Sequence, residues 1–377
     1  MKNYFLKNRF QDYWRNIDKN ILICFFVLFF LGSFFSFSST SSLAGERLDK
    51  DYYFFFTKHF IFMTFAIVLM FFVSFVEIKS LKKSIFPLFL ITFAILLLVP
   101  FIGYEVKGAR RWLDFYFFKI QPIELIKPFF VLAVATFLTS KKLKKSNSGY
   151  ILSFLILLSV VILLVNQPDF GQSILLIVTW ISVLFVSGFS ILLTIFFFFL
   201  LVIFASVLIL SFPSKFGYIF KRVTTFLDPN KGDSFQTQKA LDAIRQGGFT
   251  GQGMGEGILK ESVPEAHTDY IIAVITEEFG SIISIFIVLI FLYVSFRIIK
   301  KCLNENEEDI KLSLCGLSSL LIFQTFIHIG VNTSLLPTTG MTLPFLSYGG
   351  SSLIGSAILA GVILNYTKNR ISEKGYL

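Results

Sequence analysis

The stretch SILLTIFFFFLLVIFASVLILSF, residues 190–212, runs without a single charged side chain. At about 1.5 Å of rise per residue it can cross the ~30 Å hydrocarbon core of a bilayer, and only a helix satisfies its backbone there. Working outward, comparable apolar runs lie at 21–40, 59–78, 84–103, 121–139, 149–166, 172–188, 269–298, 312–331 and 345–366. The pattern predicts an all-α polytopic membrane protein with about ten transmembrane helices. Two features strain it: Glu124 and Lys127 interrupt the fourth run, and the crossings within 172–212 must meet at a turn around Gly188-Phe189-Ser190.

Composition excludes a soluble domain. With 55% hydrophobic and 15% charged residues, the chain lacks the polar surface that water requires. The 50 phenylalanines suit a lipid-facing surface. A net charge of +10 is better explained by basic loops beside an anionic membrane than by nucleic acid. Cys24, Cys302 and Cys315 show neither a pairing pattern nor metal-ligand spacing. The first apolar run, opening near Asn20, reads as a retained helix rather than a cleaved signal.

Basic residues concentrate in short connections at Lys79, Lys82 and Lys83, at Lys141 to Lys145, and at Arg297 to Lys301. By the positive-inside rule these are cytoplasmic, as are both termini. The expected segments are a cytoplasmic 1–20, helices one to seven over 21–212, a large extracytoplasmic loop 213–268 between helices seven and eight, helices eight to ten over 269–366, and a cytoplasmic tail 367–377. The glycine-rich loop should form turns and short helices.

Polar clusters at the outer face need explanation. Arg110, Arg111 and Lys119 surround Trp112 just before Gln121-Pro122, and could grip a phosphate or pyrophosphate or simply anchor the interface. Glu124 and Lys127, three apart, could pair across one helical turn. Gln167-Pro168-Asp169-Phe170-Gly171 could be a plain turn or a cavity wall that donates hydrogen bonds to a sugar. Glu261, Glu265, His267 and Asp269 lead into the apolar run from Ile271, where Asp269 could cap a helix or act as a base. Glu277-Glu278 demand a cavity or a basic partner, for which the Arg110-Arg111 region is one candidate. The proline- and glycine-bearing loop 332–350 predicts a re-entrant segment lining a pocket.

Taken in order, these clusters resemble the SEDS family of bacterial division, elongation and sporulation proteins, which comprises FtsW, RodA and SpoVE. Gly108-Ala109-Arg110-Arg111-Trp112-Leu113 followed by Gln121-Pro122-Ile123-Glu124-Leu125-Ile126-Lys127 is similar to the family's arginine-tryptophan and QPSE-x-x-K motifs, with Ile123 in place of serine. Gln167 to Gly171 resembles its QPDxG, Pro264 to Asp269 its PEAHTD, and Pro337 to Ser352 its final loop. Thr338 to Thr342 and Trp14 to Asp18 lean toward the division branch.

The resemblance implies a peptidoglycan glycosyltransferase that polymerises lipid II, the disaccharide-pentapeptide carried on undecaprenyl pyrophosphate, for septal wall synthesis in cell division. It places the catalytic carboxylate on Asp269, which would deprotonate the 4-hydroxyl of the acceptor GlcNAc for attack on C1 of the donor MurNAc, an inverting single displacement. Arg110, Arg111 and Lys119 would meet the pyrophosphate. Glu124, Lys127, Gln167, Asp169, Glu261, Glu265 and His267 would bind substrate or support the cavity. No metal ligand set is implied, although a divalent cation, Mg or Mn, could neutralise the pyrophosphate. A class B penicillin-binding protein transpeptidase and other divisome membrane proteins are the expected partners, in the bacterial cytoplasmic (inner) membrane at the septum. A lipid II flippase, an elongation-type polymerase and a non-catalytic divisome scaffold stay open as alternatives.

Overall fold

The computed structural model describes residues 10–48, 53–106, 109–115, 118–144, 148–211, 213–228 and 235–369. Lys107, Gly108, Lys145, Pro229, Asn230 and the tail from Arg370 lie outside the described residues.

A short helix over residues 10–16 precedes α1 (Lys19–Leu48), α2 (Phe54–Phe75) and α3 (Ile78–Ile102). Three short strands follow, β1 (Tyr104–Val106), β2 (Ala109–Asp114) and β3 (Lys119–Ile120), antiparallel and in sequence order. Then come α4 (Pro122–Thr139), α5 (Ser148–Asn166), α6 (Phe170–Val186) and α7 (Ile191–Ser211). The long connection holds α8 (Pro213–Leu227), α9 (Phe235–Gly247) and a 3-10 turn Leu259–Ser262; α10 (Ile271–Leu303), α11 (Glu308–Asn332) and α12 (Gly350–Tyr366) complete the chain. Seven of these helices are long and apolar enough to cross a membrane, and α6, α7 and α12 are shorter apolar helices among the described residues. The chain is a multi-pass, mostly helical membrane protein. One departure from the all-α expectation is local: the connection 104–120 forms a small sheet.

The polar fourth run lies at the centre of the bundle. Helix α4 is buried on nearly every face and packs against α3, α5, α6, α11 and α12. Close approach needs small residues: a Cβ on Gly355 of α12 would stand 2.3 Å from the Glu124 carbonyl, so only glycine lets the two backbones meet. Glu124 and Lys127 pair at 2.7 Å, both about 3% exposed or less. Gln172 Nε2 donates to Glu124 Oε1 at 2.8 Å, and Lys127 Nζ donates to Gln324 Oε1 at 2.9 Å. Gln324 Nε2 in turn donates to the Thr342 carbonyl at 3.0 Å. The charges thus tie α4 to α6, α11 and the last loop, each partner removing the cost of the other's burial.

The segments expected to be cytoplasmic gather at one end of the bundle. Asp18 caps α1, accepting from the Asn20 and Ile21 amides at 3.2 and 3.3 Å, and receives Arg297 Nη2 at 2.8 and 2.9 Å. Lys82 reaches Glu307 and Asp309, and the Asn369 amide donates to the Asn16 carbonyl. At the other end the loop 333–349 dips inward as the re-entrant reading requires. Phe345, 1% exposed, packs against Phe25 and Phe29 of α1 and Phe291 of α10.

The eighth run is not the continuous crossing that the sequence suggests. Helix α10 breaks at Gly280 (φ 82°, ψ 167°). The amides of Ser281 and Ile282 would ordinarily bond to the carbonyls of Glu277 and Glu278; here they donate to Gly248 and Phe249 at 2.9 and 3.4 Å. Those carbonyls accept instead from Gln252 and Gly253 at 2.9 and 3.0 Å. The glycine-rich loop therefore threads into the break and completes every bond it opens. A second correction concerns Glu277-Glu278: the basic partner is Lys260, 2.5 Å from Glu278, not the Arg110-Arg111 region, because the inserted loop brings its own cation.

Gly280→Ala should lower unfolding free energy by about 3 kcal/mol, since its Cβ would lie 2.1 Å from the Phe249 carbonyl at a positive φ. Thermal unfolding in detergent checks this; an unchanged melting temperature would contradict the loop-in-helix geometry.

Candidate functional site

Asp269 stands just ahead of α10, in a turn rather than on the helix itself. The Glu265 carbonyl accepts from the amides of Thr268, Asp269 and Tyr270 at 3.0, 3.1 and 3.3 Å, and Glu265 adopts φ 54° to make that possible. Asn332, fully buried at the end of α11, donates to the Asp269 carbonyl at 3.0 Å and accepts from the Ala273 amide at 3.2 Å. Two elements thus fix the Asp269 backbone. Thr268 and His267 are joined to the last loop: Ser347 Oγ donates to the Thr268 carbonyl at 2.7 Å, and the Tyr348 amide to the His267 carbonyl at 2.9 Å.

The basic connection splits its two arginines because successive strand residues face opposite ways. Arg110 turns to Glu105 at 3.3 Å. Arg111 Nε donates to the Gln167 carbonyl at 3.0 Å and its Nη2 to that of Pro168. A methyl group placed on Gly340 would stand 3.4 Å from Asp269 Oδ2 and 4.0 Å from Arg111 Nη1, so acid and cation converge over this one residue.

They open into a cavity of about 590 Å³. Among the described lining residues, the cations are Lys58, Arg111, Lys119 and Arg222, and the carboxylates are Asp114, Glu265 and Asp269. Lys119 lies 3.8 Å from Asp114, and Arg222 Nη1 donates to the Thr338 carbonyl at 3.0 Å. Burial first, and the adjacent Asp269 carboxylate second, push the Tyr270 phenol well up, so it faces the cavity as a protonated hydroxyl. Among the described residues no three His, Cys, Asp or Glu side chains cluster as a metal site.

The predicted site residues therefore separate. Arg111, Lys119, Glu265 and Asp269 line the cavity, whereas Arg110, Glu261 and His267 are not among its lining residues. The His267 ring stacks on Phe55 with centroids 4.5 Å apart. Glu124 and Lys127 lie in the bundle interior, and Gln167 and Asp169 are buried in the turn beyond Arg111. Gln121 Nε2, from the cavity wall, donates to Asp169 Oδ2 at 3.2 Å. Sequence reasoning missed Lys58, Arg222 and Gln236, which reach the same chamber from α2, α8 and α9. Only the basic pair Lys221-Arg222, in an amphipathic helix whose one other charge is Lys215, could have signalled one of them.

The family model of cell cycle proteins named for FtsW, RodA and SpoVE matches residues 18–371. A probable peptidoglycan glycosyltransferase FtsW of Caulobacter vibrioides is 33% identical over 363 residues, covering 96% of this chain and 92% of that protein. A protein of the same name from Coxiella burnetii is 34% identical, covering 92% and 95%. Among solved structures, a chain of a peptidoglycan synthase complex that coordinates polymerization and crosslinking superposes with a TM-score of 0.75 at 25% identity, covering 93% of this chain and 97% of that one. The rod shape determining protein RodA of Thermus thermophilus gives 0.65 at 25% identity, covering 93% and 96%.

Asp169 supplies a pH test of the buried turn behind the cavity wall. Burial, only partly offset by the Arg111 cation, holds its carboxyl above the usual carboxylate range. A raised folded value means stability that is full below the unfolded pKa of about 3.9 and is lost as pH rises through the folded one. Asp169→Asn should therefore flatten the fall in melting temperature as pH rises from about 4; a slope equal to wild type would refute it.

Proposed function

Since the chain belongs to the FtsW, RodA and SpoVE family of cell cycle proteins, we propose that its outer cavity is where lipid II is polymerised into β-1,4-linked glycan strands. The chain is a peptidoglycan glycosyltransferase. The observation that carries the finer reading is the convergence of Asp269 Oδ2 and Arg111 Nη1 over Gly340, inside a chamber of about 590 Å³. That volume lies within the range of pockets that enclose most of a small-molecule ligand.

Asp269 takes the proton of the acceptor GlcNAc 4-hydroxyl. The freed oxygen attacks C1 of the donor MurNAc, and the bond from C1 to the lipid pyrophosphate breaks with its electron pair on the phosphate. One displacement inverts the α-linked donor into a β-linked product, so no carboxylate nucleophile is needed. Arg111, Lys119, Lys58 and Arg222 stabilise the charge that gathers on the leaving group. Tyr270, which lines the chamber, offers its phenol as a hydrogen-bond donor to the substrate. Glu265 fixes the turn through its carbonyl. A divalent cation such as magnesium or manganese would add to the charge neutralisation that Arg111 and Lys119 give the substrate's pyrophosphate.

In this reading the chain makes ten crossings of the bacterial cytoplasmic membrane, with both termini inside and the cavity outside. It works at the septum with a class B penicillin-binding protein and other divisome membrane proteins. The gathering of Lys82, Arg297 and Asn369 at the opposite end from the cavity supports that orientation.

With purified lipid II and the cognate transpeptidase, wild type should form glycan strands. Asp269→Ala should form none while still folding and binding its partner. Equal polymer from the two would remove Asp269 from the mechanism, and absence of polymer from both would favour transport or scaffolding.

A further inference from the structure

Three charged side chains are buried where the loop meets the broken helix. Lys260, Glu277 and Glu278 are each 1% exposed or less. Lys260 Nζ donates to Glu278 Oε1 at 2.5 Å and to the Gly255 carbonyl at 3.2 Å, and Ser38 Oγ of α1 donates to Glu278 Oε2 at 2.8 Å. Glu277 Oε1 accepts from the Leu259 amide at 2.7 Å, while its Oε2 has no hydrogen-bond partner. Glu278 thus pairs with the Lys260 ammonium directly, while Glu277 is buried beside the pair and held by a backbone amide. A buried ion pair contributes little net stability compared with apolar packing of the same volume; its best attested use is to fix register.

The register fixed here is that of the Asp269 segment. The stretch from Leu259 to Glu277 is a closed circuit: the 3-10 turn, the turn 263–270, and then the half-helix Ile271–Phe279 that runs back to the break. Leu259 and Lys260 are pinned to the foot of that half-helix, and Asp269 sits at its head, eight residues from Glu277, or about 12 Å away along the axis. Val263, Ala266 and Tyr270 are packed in the same small core as Ala273 and Val274, so the circuit has little slack.

We propose that the Lys260–Glu278 ion pair and the Glu277–Leu259 hydrogen bond form a positioning clamp that sets where the Asp269 carboxylate stands in the cavity. The clamp touches no substrate. It acts through the half-helix and the 259–268 strand of loop, and the proposal rests on the reading of Asp269 as the base.

The test compares wild type, Asp269→Ala, Glu278→Asp and the double variant Lys260→Met with Glu278→Met. Glu278→Asp keeps both charges but shortens the link by one methylene; the double variant removes both members of the ion pair, and Glu277 keeps its hydrogen bond from the Leu259 amide. Full-length protein with its transpeptidase is assayed for kcat and KM on lipid II, for melting in detergent, and for amide hydrogen exchange over 261–270. The double variant should stay folded, melting within a few degrees of wild type, and keep KM within about twofold. Its kcat should fall about a hundredfold, as expected for a base displaced by ~1 Å, and exchange should accelerate over 261–270. Glu278→Asp should fall between. Wild-type kcat and exchange in a folded double variant would overturn the clamp. Faster exchange at 261–270, combined with equal polymer from Asp269→Ala and wild type, would uphold the clamp's hold on the segment and strike down the assignment of the base instead.

Discussion

A polar group taken below the membrane surface must find its partner within the protein, because hydrocarbon offers none. The break at Gly280 is where this constraint is most visible. Opening a transmembrane helix frees two carbonyls and two amides, and each is taken up by the loop Gly248–Gly253. The side chains follow the same logic: Lys260 comes in with the loop to meet Glu278, and Glu277 captures the Leu259 amide. A segment that composition assigns to the aqueous side is thereby built into the membrane domain.

The cavity depends on that insertion. Once the loop is seated, the turn 263–270 is held between the break and α11, and Asn332 grips it from the other side. The re-entrant loop then closes on it through Ser347 and Tyr348 and brings Gly340 beneath Asp269 and Arg111. The interior pair Glu124–Lys127 reaches the same loop through Gln324 and Thr342. Charges expensive to bury are therefore found where they steady irregular backbone, and irregular backbone is found where it lines the chamber.

Division of labour within motifs follows from backbone geometry. Arg110 and Arg111 are equivalent as sequence, yet the strand turns one toward Glu105 and the other toward the Gln167–Pro168 carbonyls and the cavity. Glu265 and Asp269 share the chamber because a tight turn, with Glu265 at positive φ, folds them together ahead of the helix rather than along its face.

By itself the sequence determined the membrane class, the apolar runs that become helical, the pairing of Glu124 with Lys127 and the clusters from which the site is made. These depend on local hydrophobicity, helical spacing and motif order, all of which are written along the chain. What only the tertiary structure decided was which members of those clusters face one another. Lys58, Arg222 and Gln236 join the chamber from separate elements, and Lys260 meets Glu278 eighteen positions on. The small sheet and the break at Gly280 were equally hidden, since both arise from backbone hydrogen bonds between segments that carry no local signature of each other. Local sequence fixes where a chain can be helical, and long-range pairing of buried polar groups fixes what the helices enclose.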